Sequence, residues 1–479
     1  MTQTLDNDHA ASITDLKGRH AKLMTAVQSY TGNSVTKSTQ ELDAARLAIL
    51  STIDAKEQSL LGLAQRKATR PLPSMILDFR EQVFLQGNRI IERGRDVADL
   101  LQVARGSSKW CFGQGGNLRE FLPNTVAYAY DPMIQASLGI SLEGNGTNYL
   151  PYSTDMTNSN VTKIGCSIVV SPETSPVIGK SAFLMTTTTA GGALATPGTF
   201  SVTNGTRYTV SILAKGGTAD AVRVEFNNVR SEGMVGGRFS LTGATAVNNN
   251  ANWVLAEQRL MPNGWTFARI QVVANRSGND ASISIGRGSN ATTPAVGETL
   301  HLAHWQVEDG YGSSLIPTGA TPVTRAADNM LRDLSFEHNP NGFSFYVEGI
   351  QTTDTGSLVF YSLNNSTSKS IRVGAPSNNS ALFWLNYDRL ANMNVNLFPN
   401  FVKGGTNRIA VSVNATRVAV CCNGTVSYTS TPSTGIPLFN RAKLGAISDT
   451  NNAINGTIAE FRAYPMALEA DDLIALTTQ

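Results

Sequence analysis

The chain opens with apolar residues at a helical period. Ile13, Leu16, His20, Leu23, Val27 and Tyr30 are separated by steps of 3, 4, 3, 4 and 3, the seam of a coiled coil with one polar residue, His20, inside it. The pattern breaks at YTGNSVTKS. It restarts after Ser38, which makes an S-x-x-E capping box with Glu41. Leu42, Ile49, Ile53, Leu60 and Leu63 continue the seam, with Lys56 set into it. Arg70-Pro71-Leu72-Pro73 ends the run, because each proline disfavours helix at the residue before it. A third helix is predicted over residues 74–103, with Ile76, Phe79, Val83, Ile90, Val97 and Leu101 as its apolar stripe. A small intrachain bundle would satisfy these helices. So would an oligomeric stalk, which the sequence favours: a single narrow seam bordered by charge needs a partner helix, and another copy can supply it.

From Ser107 onward the period changes from 3.6 to 2. RYTVSILAKG (207–216), RVEFNNV (223–229), FARIQVVAN (267–275) and HLAHWQVED (301–309) alternate between Gly, Asn or Pro turns. A second set of strands follows at 343–350, 356–363, 381–387, 408–414, 417–426 and 456–465. Asn423-Gly424 marks a tight hairpin, and a short amphipathic helix over 466–476 closes the chain. The expected fold is mainly β, two β-sandwich or jelly-roll domains behind an N-terminal α-helical, coiled-coil-like stalk. The expected divisions are 1–73 for the stalk, 74–106 for a linking helix, 107–328 for a jelly roll and 329–479 for a second sandwich.

Composition agrees with the switch. The first 105 residues hold 14 Lys/Arg, 12 Asp/Glu and only five of the 42 glycines, so helix gives way to sheet where charge gives way to Gly, Thr and Asn. A net charge of +2 offers no basic field for nucleic acid. No run of 18 apolar residues is present, so no membrane insertion is expected. The opening MTQTLDNDHAASITDL lacks the basic and apolar regions of a secretory signal. Cys111, Cys166, Cys421 and Cys422 form no paired framework, and adjacent Cys421 and Cys422 point to opposite faces of a strand. Reduced thiols are expected.

Three stretches carry a resemblance. Gln306-Val-Glu308-Asp-Gly310, Ser314-Leu-Ile316-Pro317-Thr318 and Thr324-Arg325-Ala326-Ala327-Asp328, with LEGNGTNYLPYS at 142–153 upstream, resemble a signature of tailed-bacteriophage virion proteins. In those proteins the two elements flank a jelly-roll, carbohydrate-binding-module-like domain. NRIAVSVN, VAVCCNGTV, KLGAISD and INGTIAEFRAYPMALEADDLIAL are similar to the concanavalin A-like superfamily in its laminin-G-like branch. The resemblance covers roughly 107–479. It implies a virion fibre of the tail or head, assembled in the host cytoplasm. Such a fibre would self-associate as a homotrimer, contact other virion proteins through its N-terminal region, and reach host-surface glycans with its β domains.

Candidate chemistry was tested against that expectation. Alternation in HLAHWQVED places His301, Ala303, Trp305 and Val307 on one face and Leu302, His304, Gln306 and Glu308 on the other. The histidines then point opposite ways and make no metal site. Gln306 and Glu308 share a face and are expected to bond turn backbone or a neighbouring strand. Arg325 and Asp328 are expected to clamp the junction between domains. Five histidines, two of them in the helical region, offer no Ser-His-Asp set. The E-x-D-x-x-E of glucanases is absent, since Glu469-Ala-Asp471 is followed by Ile474. Gly179-Lys180-Ser181 lacks the first glycine of a phosphate loop, where Thr174 stands. These readings predict no catalytic residues, no metal, no cofactor and no enzyme activity. A purely structural decoration protein and a polysaccharide depolymerase are the competing classes. Sugar sites combine exposed aromatics with Asn, Asp and Arg, which nominates Trp384, Tyr387, Asp388 and Arg389 in FWLNYDR and Tyr311 in the signature turn.

Overall fold

In the computed structural model the chain divides into two compact units, Met1–Pro71 and Leu72–Gln479. The structure describes residues 18, 21–22, 25 and 72–478 except 87–88, 92–96, 191–193, 244–245, 249–251, 289–294, 334–338, 340, 352–357, 365–369, 376–381, 388–390, 397–400, 403, 431–438, 440 and 446–453. In the first unit Gly18, Ala21, Lys22 and Thr25 are helical, and the Thr25 hydroxyl donates to the Ala21 carbonyl at 2.9 Å. The heptad seam and the Ser38–Glu41 capping box lie outside the described residues.

The helix expected over 74–103 is not there. Met75–Asp78 and Val83–Gln86 form a hairpin, Arg89–Ile91 adds a third strand, and among the described residues of this stretch only Val97–Leu100 is helical. Ile76, Phe79 and Val83 fit a helical stripe, but Met75, Leu77 and Phe79 also alternate, and these three are buried while Val83 is exposed. The competition between the periods is decided far along the chain. Met75–Asp78 pairs with Gly456–Tyr464, Met75 opposite Ala463 and Asp78 opposite Glu460. Non-local pairing of this kind overrides local propensity.

Strand Gly456–Tyr464 lies in a ten-stranded antiparallel sheet. The order is Arg89–Ile91, Val83–Gln86, Met75–Asp78, Gly456–Tyr464, Gly342–Gln351, Thr406–Asn414, Val418–Cys422 and Thr425–Ser430; Ser137–Leu142 also pairs with Gly456–Tyr464 and carries Tyr128–Tyr130. Facing it is a seven-stranded sheet of Ala391–Asn396, Leu382–Tyr387, Ser370–Ala375, Leu358–Asn364, Arg441–Leu444, Asn329–Asp333 and Gln102–Ala104. One core joins the two, with Phe345, Val411 and Phe461 from the first and Phe360, Val373 and Leu444 from the second. Each such side chain, fully buried, stabilises the fold by roughly 1.5–3 kcal/mol.

The jelly roll is a second sandwich. Its six-stranded sheet runs Cys166–Val170, Phe183–Thr187, Thr299–Asp309, Arg207–Gly216, Thr266–Val273 and Trp253–Leu260. The seven-stranded partner centres on Gly278–Gly288 and Ala221–Arg230. Val210, Ile212 and Trp305 meet Val224, Phe226 and Ile283 between them. The strands read at 207–216, 223–229, 267–275 and 301–309 are all present. The limits differ from the expected 107–328, because the strands at 128–130 and 137–142 belong to the ten-stranded sheet of the C-terminal sandwich. The jelly roll is thus an insertion, entered after Leu142 and left before Asn329.

Two outer faces are covered. The hairpin Lys109–Phe112 with Leu118–Phe121 lays Trp110 and Leu118 over Leu213, Phe267 and Ala303 on the six-stranded jelly-roll sheet. The C-terminal helix Ala470–Thr477 places Leu473 over Tyr346, Ala410, Ala419 and Cys421. Asn423 and Gly424 both have positive φ, 46° and 82°, as a tight primed hairpin requires. All four cysteines are free and buried, with Cys421 and Cys422 on opposite faces. Among the described residues no helix is long and apolar enough to cross a membrane.

Candidate ligand-binding cleft

Strand Thr299–Asp309 organises the region, and it is not a regular strand. Opposite Arg207–Gly216, Leu213 pairs with His304 but Ala214 pairs with Leu302, so Ala303 is an extra residue in a β-bulge. The bulge corrects the face assignment. Leu300, Leu302, Trp305 and Val307 enter the jelly-roll core. His301, which pairs with Lys215, and His304, which pairs with Leu213, both lie on the outer side of the sheet with Gln306 and Glu308. Among the described residues no group of three or more His, Cys, Asp or Glu is placed together. His301 Nδ1 lies 2.9 Å from the Ser171 hydroxyl. Burial lowers the His304 imidazole to about 3, so it is neutral at physiological pH.

Gln306 and Glu308 hold the following turn, as expected. The Gln306 carbonyl oxygen accepts from the Ile316 amide at 2.7 Å and lies 3.2 Å from His304 Nε2. Its amide nitrogen donates to Glu308 Oε2 at 2.5 Å and to the Ser314 carbonyl at 3.3 Å. Glu308 also accepts from the Ser313 amide at 2.7 Å and the Ser313 hydroxyl at 2.6 Å. Burial raises Glu308 above the usual carboxylate range even against these bonds. Gly146 packs here because a Cβ would come within 2.5 Å of Glu308 Oε1. The upstream element closes the same joint. Asn148 donates to the Ile316 carbonyl at 2.9 Å, and Ser153 and Thr318 exchange bonds of 2.8 and 3.1 Å between hydroxyls and amides.

Behind the turn is a buried ion cluster. Asp328 receives Arg105 at 2.8 Å, Lys109 at 2.6 Å and the Glu143 amide at 2.9 Å. Arg325 donates to the Gly144 carbonyl at 2.6 Å and stands 3.3 Å from Glu143. Burial alone would raise Glu143, but Lys109 and Arg325 outweigh it and bring it down to about 2. Burial pushes the neighbouring Cys111 thiol up to about 11.

Between the ion cluster, the outer face of the jelly-roll sheet and the covering hairpin lies a cleft of about 140 Å³. Ser211, Glu257, Arg259, Phe267, Arg269 and His304 form its sheet wall; Trp110, Phe112 and Leu118 come from the hairpin, and Tyr130, Pro132, Leu138 and Glu143 from the segment that joins the C-terminal sandwich. Phe112 meets Phe267 edge-on, with centroids 5.5 Å apart. The Arg269 guanidinium lies 4.9 Å from the Phe267 centroid and bonds Ser211, Glu257 and the Ser313 carbonyl. Arg259 pairs with Glu257 at 2.5 Å and Asp131 at 3.0 Å. Rings beside planar, preset ionic groups suit a ligand with both apolar and hydroxylated faces.

Of the nominated residues, Tyr311 lies in the jelly roll and Trp384 and Tyr387 lie on a strand of the other sandwich. Tyr311 is half-buried in the signature turn, its ring 4.2 Å from the Arg207 guanidinium and its carbonyl accepting from Gln271 at 3.4 Å. Trp384 and Tyr387 fall on Leu382–Tyr387 in the other sandwich, where Trp384 registers with Arg372 and Asn394; their side chains, and Asp388 and Arg389, lie outside the described residues. Sequence reading passed over Glu257, Arg259, Phe267 and Arg269. The available signal was FARIQVVAN, whose outward positions are Phe267, Arg269 and Gln271.

Residues 325–474 match the model of the Concanavalin A-like lectin/glucanases superfamily, so the C-terminal sandwich is concanavalin A-like. No curated protein matches the chain. Among solved structures it is similar to the Ruminococcus gnavus IT-sialidase CBM40 bound to alpha2,3 sialyllactose, at 16% identity over 29% of this chain and 83% of that one, with TM-score 0.26. It is also similar to domain 4 of AbnA, a GH43 extracellular arabinanase from Geobacillus stearothermophilus in complex with arabinotriose, at 16% identity over 35% and 82%, TM-score 0.28. Chicken galectin 2 matches at 14% identity over 25% and 88%, TM-score 0.21.

Proposed function

We propose that this chain is a non-enzymatic bacteriophage virion protein, a fibre that anchors and trimerises through its N-terminal helices and presents two β-sandwiches to a host-surface glycan. The observation that carries the glycan reading is the cleft, where Trp110, Phe112, Tyr130 and Phe267 stand beside the Glu257–Arg259–Arg269 group. The virion assignment rests on the resemblance of residues 142–153 and 306–328 to the phage signature. In a trimer, several weak glycan contacts would add to useful avidity.

Labelled full-length protein should bind host cells, purified surface polysaccharide should compete, and gold-tagged antibody should decorate the fibres of intact particles. Particle labelling without cell binding would replace attachment with a decoration role. New reducing ends on incubation with capsule would replace it with depolymerisation.

A further inference from the structure

We infer that the cleft is a subsite for one uncharged sugar ring and discriminates against anionic sugars; this rests on the glycan-binding reading above. Size sets the first limit. About 140 Å³ is below the several hundred Å³ of a site for a drug-sized ligand, and matches a single ring.

Charge sets the second. Two cations and two anions line the cleft, and each already has its counterpart. Arg259 is matched by Glu257 and Asp131, Arg269 by Glu257, and Glu143 by Lys109 and Arg325. A sugar carboxylate entering here meets no unmatched cation. To engage Arg259 or Arg269 it must share a guanidinium whose charge Glu257 already balances, bringing two carboxylates together in a partly closed site. His304 stays neutral and adds no positive charge. The Ser314 hydroxyl oxygen is buried in the cleft wall without a partner. A hydroxyl both donates and accepts, so an uncharged O–H group satisfies it. The walls come from the jelly roll on one side and from Tyr130, Pro132 and Leu138 on the other, so a bound ring touches both sandwiches.

The test is saturation-transfer NMR and calorimetry on the full chain with matched neutral and anionic saccharides, including a methyl glucoside and its uronic acid counterpart. At least one neutral sugar should bind about tenfold or more tighter than its acidic analogue. Its affinity should be the same within about twofold between roughly 0.05 and 0.5 M salt, since no net charge is engaged. Ser314→Ala should weaken neutral binding severalfold. Glu257→Gln should do the opposite for anions: with Arg259 and Arg269 less neutralised, affinity for the acidic analogue should rise, a gain that misfolding cannot mimic. Wild-type preference for acidic sugars, or a preference untouched by Glu257→Gln, overturns the inference while leaving a glycan-binding protein. Binding of no saccharide at all overturns both readings.

Discussion

Lys109 Nζ lies 2.6 Å from Asp328 Oδ2, with both side chains almost fully buried and the two residues 219 positions apart in the chain. Arg105 holds the other oxygen of Asp328 at 2.8 Å. Removing the carboxylate takes the anion from buried Arg105 and leaves buried Lys109 only the longer contact to Glu143, at 3.4 Å. Asp328→Ala should cost about 3–5 kcal/mol in denaturant unfolding, and adding Lys109→Met should recover part of it. An Asp328→Ala variant of unchanged stability would remove this joint from the list of what holds the fold.

Two groups make the junction acid-sensitive in the same direction. Glu143 is depressed from 4.5 to about 2, so its contribution is complete above about 4.5 and is lost as pH falls toward 2. His304 is depressed from 6.5 to about 3; the unfolded chain takes the proton first, so stability is full above about 6.5 and declines as pH falls toward 3. Unfolding midpoints followed from pH 7 downward should therefore fall in two ranges. Glu143→Gln should flatten the lower range and His304→Gln the upper.

Gly146→Ala addresses the upstream element directly. The added methyl would meet Glu308 Oε1 at 2.5 Å and the Ser313 hydroxyl at 2.8 Å, and neither can retreat without breaking the bonds that hold the turn. A loss of about 1–3 kcal/mol is expected, read as a lower midpoint in thermal melts. The same substitution at Gly179, with open space but positive φ, is a control for backbone conformation without a clash.

The thiols should be silent in the native protein. Burial raises Cys111 to about 11 and Cys422 to about 12, and raises Cys166 and Cys421 as well. A thiol reagent at pH 8 should label none of the four until denaturant is added, because the thiolate is the reactive form. Fast labelling of any one in the native state would contradict its placement.

Fragment design is a further check. A truncation to 72–479 keeps the hairpin at 75–86 and should fold without residues 1–71. A truncation to 107–479 strips Met75–Asp78 from Gly456–Tyr464 and Gln102–Ala104 from Asn329–Asp333, and should aggregate or unfold. If 72–479 also loses the full chain's oligomeric state in mass photometry, the stalk reading is supported; an equally oligomeric fragment removes it.

Much of the β architecture was legible because alternation is a local signal. Val210, Ile212 and Ala214 point inward as their period requires, and Asn423-Gly424 forms the hairpin its dipeptide encodes. Two failures had one cause. Met75–Asp78 looked helical because its strand partner is Gly456–Tyr464, beyond any local window. The face of His301 differs from the expected one because a one-residue bulge at Ala303 shifts the count, while His304 keeps its place beside Gln306 and Glu308; the shift is visible only against Arg207–Gly216. The cleft was illegible for the same reason. Phe267 and Arg269 face outward on a strand, but only the hairpin at 109–121 and the crossing at 128–143 make that face a cavity.

The insertion of the jelly roll into the C-terminal sandwich also sets an order of events during synthesis. The last strand of the jelly roll ends at Asp309, well before Gly456–Tyr464 is made, so that sandwich can close early. Ser74, by contrast, bonds Ala463, 389 residues later. At about 5–20 residues per second, the hairpin at 75–86 waits on the order of 20–80 s for the strand that completes it. During that interval its open edge is exposed to neighbouring nascent chains. Met75 and Leu77 are therefore the positions where added hydrophobicity would first lower the yield of soluble protein, before any change in the finished fold.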